Sequence, residues 1–362
     1  MTTLGFGGTE RNLVQYCETL NPKKWKIEVW FLYEQEESMR GRLEANGTKV
    51  IHLGNPSKFR PLQILSLCKK LATSKADLIH IFLPTVGYYA VVSKLVFRSK
   101  IPMIFSSGGV QFLLPLQRFM MKYGIGRYCY PIVCNSHAVK QFWKDMGVEL
   151  SRLRVIRNGH DLARIKTPLD RETFRASLNI HSDEILITTV GRLIDTKRHT
   201  DILQALAKLD QTKFSYRMLI VGDGPLREQI KSEINERNLS ERVILTGRRD
   251  DVISILKSSD LFVFPSASEG LPNALIEAAL CKVPIVASDI NPVLEIITNG
   301  DSGRIFPVTN VQKLATAIEE SLTNLKLSGS MADAAYRKAS RDFDLGNTID
   351  LLQTAYQDAI NY

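Results

Sequence analysis

In the second half of the chain, short β-branched apolar runs alternate with amphipathic stretches, and this pattern constrains the fold most. ILITTVG (185–191) leads into a helical pattern over 198–210, YRMLIVG (216–222) into 225–237, and RVILTG (242–247) into 250–258. LFVFPS (261–266) leads into 272–281, and PIVAS (284–288) into 291–298. The runs are continuous rather than alternating, which marks strands buried on both faces, and intervening helices make such a sheet parallel and doubly wound. The first half repeats the plan less regularly, with candidate strands at 27–32, 49–53, 77–82, 102–107, 131–136 and 153–159. Polar sequence from about 160 to 184, including Pro168, reads as a link between two domains, and beyond 310 the pattern is helical. A length of 362 residues suits two domains better than one core.

A sheet of this kind begins with a strand that feeds the first helix. Here the helical pattern starts near Gly8, and only MTTLGFG precedes it. Either the natural start lies upstream, which is the expectation, or the first domain lacks a strand.

With 44% hydrophobic and 23% charged residues the chain reads as soluble and globular. No apolar run approaches the roughly 18–20 residues of a membrane span, and the start does not resemble a secretion leader. Five cysteines, none in a paired CxxC, fit reduced thiols in the cytoplasm. No His/Cys/Asp cluster has metal-ligand spacing, so no metal is expected. The net charge of +9 divides into +13 over residues 1–160 and −4 over 161–362, so an anionic partner is expected for the first half.

The stretch SASEGLPNALIEAALC (266–281) follows a strand, and ligands in open α/β sheets sit at strand carboxyl ends. Pro272 suits the first helical position. The amides of Leu271, Asn273 and Ala274, with the helix dipole, then make a seat for a phosphate. Glu277 is placed to accept hydrogen bonds from a ribose-like diol, and Glu269 stands where a second polyol arrives. This is the shape of a nucleotide-sugar site, although glutamates near a Pro-started helix are also ordinary capping chemistry. GRLIDTKR (191–198) follows the first strand of the same domain, and its Arg192 and Lys197 can clamp a diphosphate. VGDGPLR (221–227) is a third such loop; without a full GxGxxG it says little alone.

In this order, GRL…K, VGDGP, TGRRDD, SEGLPNALIEA and PIVASD resemble the retaining group 1 glycosyltransferases with their E-x7-E motif, and the resemblance covers nearly the whole chain. It implies an α/β chain with the GT-B fold, two facing Rossmann-like doubly wound domains, with the first strand of the N-terminal one missing. Residues 1–165 would form the acceptor-side domain, 166–344 would bind the donor, and helix 345–362, with the region from Phe343 to Tyr356, would cross back onto the first domain. It implies catalytic roles for Arg192 and Lys197, on the donor diphosphate, and for Glu269, on the transferred sugar. Gly191, Gly270, Leu271, Pro272, Asn273 and Glu277 would bind the donor, and the backbone at Arg248 and Arg249 would edge the base. GFGGTE (5–10) resembles the family's glycine loop, with Gly7 and Gly8 near the donor phosphates. Glu10, His80 and Ser107 are acceptor-side candidates; a lone histidine at a strand end is also commonly structural. Many relatives carry a histidine where this chain has Gly108, which leaves that polar contact to be made elsewhere.

The activity so implied is transfer of a hexose from a UDP- or GDP-linked donor to a glycan or lipid-linked acceptor, with retention and without metal or cofactor. A non-catalytic GT-B subunit and a nucleotide-sugar epimerase are the alternatives. VQFLLPLQRFMMKYGIGRYCYPIV (110–133) mixes apolar and basic residues and suits contact with an anionic membrane at its inner face; a core helix with one solvated side is the other reading. No nucleic-acid-binding pattern is present.

Overall fold

The computed structural model of the chain describes residues 1–5, 7–35, 38–54, 61–109, 114–167, 169–209 and 213–362. Pro168 and the first four residues of the 110–133 segment lie outside these. Contacts divide the chain into two compact units, Met1–Gly159 with Leu345–Tyr362, and His160–Asp344.

The second unit holds one six-stranded parallel sheet: β7 (Ile185–Val190), β8 (Tyr216–Val221), β9 (Val243–Gly247), β10 (Leu261–Phe264), β11 (Ile285–Ser288) and β12 (Arg304–Phe306). The five apolar runs are β7 to β11; the three-residue β12 escaped notice because it is too short to show a pattern. The order is β12-β11-β10-β7-β8-β9. Phe262, Phe264, Leu271 and Ile276 belong to one core cluster, and Ile187, Met218, Ile220 and Leu261 to another. Every residue of β10 and β11 is buried, which explains the unbroken apolar runs.

Residues 160–184 are not a linker. Two helices form there, Leu162–Lys166 and Arg171–Ser177, each started by an aspartate cap, Asp161 and Asp170. Ile165 and Ile180 are in the unit's core, so residues 160–165 go with the second unit and not with the first. Arg175 is also buried; its guanidinium donates to Asp260 at 3.0 Å and to the carbonyls of Ser258, His181 and Glu184.

In the first unit β1 (Glu28–Phe31) and β2 (Lys49–His52) form a two-stranded parallel sheet. β3 (Ile79–Ile81), β4 (Met103–Ser107), β5 (Ile132–Cys134) and β6 (Leu153–Val155) form a four-stranded one in that order. Met1–Leu4 runs beside the end of β1: the Met1 amine donates to Trp30 O at 2.8 Å, and Leu32 N and Tyr33 N donate to Thr2 O. These residues form no named strand, which leaves two sheets where a continuous one is expected. Helix Leu345–Asn361 packs into this unit through Leu352 and Tyr356, whereas Phe343 stays in the core of the second unit, contrary to expectation.

Candidate functional site

In the second sheet β7 and β10 are neighbours, but the chain leaves β7 toward β8 on one side and β10 toward β11 on the other. Their carboxyl ends therefore open a crevice at the point where strand order reverses, which is where such sheets take ligands. The two loops singled out in the sequence, 191–198 and 265–272, are the two that line it.

The loop after β7 is held from several sides. Gly191 N donates to Val221 O, Leu193 N to Asp223 O, and Leu226 N returns to Leu193 O. His199, 3% exposed, places Nε2 3.1 Å from Arg192 O, so the residue that closes the loop binds the carbonyl near its start. Because that carbonyl only accepts, Nε2 carries the proton of the neutral ring, and Nδ1 is buried without a partner. Burial lowers the His199 pKa to about 4, which keeps the ring neutral. Arg198 sits in the left-handed region at φ 53° and is held there by a two-pronged pair with buried Asp201, at 2.8 and 3.0 Å. Sequence reasoning passed over His199; its place two residues after Lys197, at the head of a helix, was the available signal.

The glycines of VGDGP explain why this loop can lie so close. A Cβ on Gly222 would be 2.9 Å from Gly191 C, and one on Gly224 would be 2.5 Å from Leu193 O. The third loop is thus a backbone buttress beneath the first.

The loop after β10 meets the first directly. Ala267 N donates to Thr196 O at 2.8 Å, and Lys197 Nζ pairs with Glu269, whose side chain is 12% exposed. The same ammonium lies 5.3 Å from the centre of the Phe264 ring. Helix Asn273–Leu280 starts from the crevice one residue later than expected, with Pro272 as its cap residue, whose carbonyl accepts from Leu275 N and Ile276 N. Pro272 itself gives the first turn no side-chain cap. Gly270, Leu271 and Pro272 are buried, and Asn273 and Glu277 are half-buried. Burial, with the Glu277 carboxylate nearby, pushes the Cys281 thiol up to about 12. Arg192 is exposed at the mouth. Arg249 donates to Asp251 through Nε and one of its two Nη nitrogens, which fixes its side chain beside that carboxylate. Lys197 and Glu269 thus meet where the loops after β7 and β10 adjoin, with Arg192 in the first loop and Gly270 to Asn273 leading from the second into the helix. The crevice so offers cations, a carboxylate and a helix N-terminus.

The remaining candidates belong to the first unit. Gly7 caps helix Gly8–Thr19, and both glycines are exposed. The Glu10 carboxylate folds back over Gly7, where it accepts from Thr3 Oγ1 at 3.3 Å and occupies the space a Cβ would take. An acid in the first turn already answers the dipole there, and a phosphate would have to displace it. Ser107 is buried at the end of β4, and its carbonyl accepts from Asn135 N at 3.3 Å. A Cβ at Gly108 would meet Thr9 Oγ1 at 3.7 Å and Asn135 Nδ2 at 3.9 Å, which is ordinary contact. His80 departs from its expected acceptor role. Nδ1 is bonded to Tyr356 OH at 2.8 Å, Nε2 to Ser106 Oγ at 2.7 Å, and the ring stacks on Phe82. Burial takes its pKa down to about 3, and with both nitrogens engaged it ties helix Leu345–Asn361 to the sheet.

Comparison with known proteins divides the chain within a few residues of the same place. Residues 170–338 match the family described as glycosyl transferases group 1, and residues 6–164 match glycosyltransferase family 4. The chain is 27% identical over 234 residues to an Escherichia coli UDP-Gal:alpha-D-GlcNAc-diphosphoundecaprenol alpha-1,3-galactosyltransferase, covering 63% of this chain and 60% of that protein. It is 26% identical over 191 residues to the N-acetyl-alpha-D-glucosaminyl L-malate synthase of Bacillus anthracis, covering 53% and 50%. The matches thus span about half to three-fifths of these relatives. Among solved structures, HepE of Anabaena in complex with UDP and glucose superposes with a TM-score of 0.87 at 20% identity, over 99% of this chain and 98% of that one. The lipopolysaccharide outer core galactosyltransferase WaaB gives 0.71 at 19%, over 99% and 97%. These likenesses show the GT-B fold, and with two adjoining family matches that leave only short stretches uncovered, the chain belongs to the group 1 glycosyltransferase family.

Proposed function

We propose that the chain transfers a hexose from a UDP- or GDP-linked donor to a glycan or lipid-linked acceptor, with retention of anomeric configuration and without metal or cofactor. One observation carries this reading: Arg192, Lys197, Glu269 and the start of helix Asn273–Leu280 share the crevice between β7 and β10. The named substrates of the relatives support it. The Escherichia coli relative is named for a UDP-galactose donor and a diphosphoundecaprenol-linked acceptor, and HepE is described with UDP and glucose.

In this reading the helix N-terminus and the two cations bind the diphosphate, and Glu277 accepts from the ribose hydroxyls. Charge grows on the diphosphate as the anomeric C–O bond breaks. A preorganised clamp stabilises that charge more than the ground state, which is what lowers the barrier. Lys197 begins paired with Glu269, so the arriving sugar and diphosphate would divide this pair between them: the ammonium goes to phosphate and the carboxylate to sugar hydroxyls. No side chain is assigned as base. The place of work is the cytoplasm, at the inner face of a membrane.

The test is release or transfer of labelled sugar from UDP- and GDP-hexoses, with the product anomer read by NMR. Arg192→Met is expected to lower turnover by about 10²–10³-fold, as for loss of one charge-stabilising donor. If nucleotide binds but no sugar is released or transferred, the chain is a non-catalytic subunit. An inverted product would end the claim of retention.

A further inference from the structure

Arg227 is the first residue of helix Arg227–Glu236, at the turn that follows β8. A cation there opposes the helix dipole, so the position calls for another reason. Its backbone is fixed: Arg227 N donates to Gly224 O at 3.1 Å, and Leu226 N, just before it, donates to Leu193 O at 3.1 Å. The guanidinium reaches the carboxyl end of the neighbouring strand. A Cβ built on Gly247, the last residue of β9, would meet Arg227 Nη1 at 3.8 Å and, its chain neighbours apart, nothing else within 4 Å. Gly247 holds φ 71°, a conformation that favours glycine, so this space stays free of a side chain.

Nη1 is buried and has no hydrogen-bond partner among the described residues. The acceptors around it are taken or out of reach. Asp223 Oδ2 lies 3.7 Å away, too far for a hydrogen bond, and Asp223 Oδ1 accepts from Gly224 N at 2.7 Å. Gly247 O accepts from Gly222 N at 2.8 Å and from Thr246 Oγ1 at 2.9 Å. Folds seldom leave a buried N–H without an acceptor, because its lost hydration is not replaced. This one faces the bare strand end that leads into Arg248 and Arg249, whose backbone is expected to edge the base. A guanidinium only donates, so the group that answers it is a carbonyl oxygen. Uracil and guanine carry a ring carbonyl where cytosine and adenine carry an amino group.

We propose that Arg227 selects the base of the donor, by donating to the ring carbonyl of uracil or guanine and repelling the amino group of cytosine or adenine. This rests on the reading of a nucleotide-sugar donor site and adds the side chain that sets the class of base. The experiment is calorimetric titration of the full chain with UDP, CDP, GDP and ADP. In one of the pairs UDP/CDP and GDP/ADP the carbonyl base should bind at least about tenfold more tightly, as expected from one hydrogen bond to a charged group. Arg227→Met should bring that ratio to within about twofold, chiefly by loss of affinity for the carbonyl base. Arg227→Gln carries an amide that can donate to a carbonyl or accept from an amino group, so it should bind CDP or ADP more tightly than the unchanged chain does. Melting temperatures close to that of the unchanged chain are expected for both variants. An unchanged ratio in Arg227→Met, equal weakening of both members of the pair, or no preference in the unchanged chain would each overturn the proposal, and tight UDP or GDP binding would then leave the donor site standing. Binding of none of the four nucleotides would overturn it together with that site.

Discussion

Gly222 adopts φ 140° directly after β8, with its missing Cβ aimed at the Gly191 backbone. Gly222→Ala should therefore carry two separate penalties. The unfavourable φ alone costs roughly 1–3 kcal/mol. The added methyl must also push loop 191–198 off loop 221–227, which puts at risk the bonds from Gly191 N to Val221 O and from Gly222 N to Gly247 O. At about 1 kcal/mol for each bond, the total is about 3–5 kcal/mol. For a unit the size of His160–Asp344 that is a fall in melting temperature of about 6–20 °C. Two controls separate the terms. Gly300 has φ 78° with nothing within 4 Å of its absent Cβ, so Gly300→Ala carries strain alone, roughly 1–2 kcal/mol. Gly329 lies inside a helix with open space around it, so Gly329→Ala should stabilise by about 0.5–1 kcal/mol. Calorimetric melting of the three variants is the assay. If Gly222→Ala melts no lower than Gly300→Ala, the buttress between the two loops is not what the glycine is for.

His199→Phe should weaken binding of the nucleoside diphosphate by about five- to tenfold, the loss of one hydrogen bond that fixes Arg192, and leave the monophosphate little changed. His199→Gln, which can still reach the Arg192 carbonyl, should restore most of it; equal losses for mono- and diphosphate would make the role merely structural. His160 and His199 are both buried, and burial lowers each pKa to about 4. The fold therefore prefers the neutral rings, while the unfolded chain takes up protons near pH 6.5. Stability is complete above that value and falls as pH drops toward 4, by about 1.4 kcal/mol per pH unit for each histidine. Urea unfolding between pH 7 and 4 should show this slope, and His199→Gln should remove about half of it in the second unit. Arg175→Met should destabilise by about 3–5 kcal/mol, because it leaves Asp260 short of a partner and several buried carbonyls without donors; a melting temperature within a degree or two of the unchanged chain would contradict it.

The second unit was legible because its central strands are buried on both faces and written as nearly continuous apolar runs. Once β7 and β10 were recognised, the crevice loops followed from strand ends alone. What the sequence hid depends on side chains meeting across distance. Arg175 and Asp260 make an apparent linker part of a domain, and no local pattern announces a pair 85 residues apart. His80 reads from sequence as either an acceptor-side candidate or a structural histidine, and what decides for the second, Tyr356 and Ser106 on its two nitrogens, includes a helix 276 residues away in sequence. The closeness of Gly222 to Gly191 is a backbone contact and leaves only a glycine as its trace. In the first unit the two-stranded and four-stranded sheets lack a shared strand, and shorter runs with less regular burial made that unit the harder one to read.

The central claim, a nucleotide-sugar donor site between β7 and β10, is tested most directly by calorimetric titration with UDP and with GDP. The chain and its Glu277→Ala variant are titrated side by side. One nucleotide should bind, and the variant should bind it more weakly by roughly 1–3 kcal/mol, the cost of leaving the ribose hydroxyls without their acceptor. Binding of neither nucleotide, or equal affinity in the variant, would contradict the site.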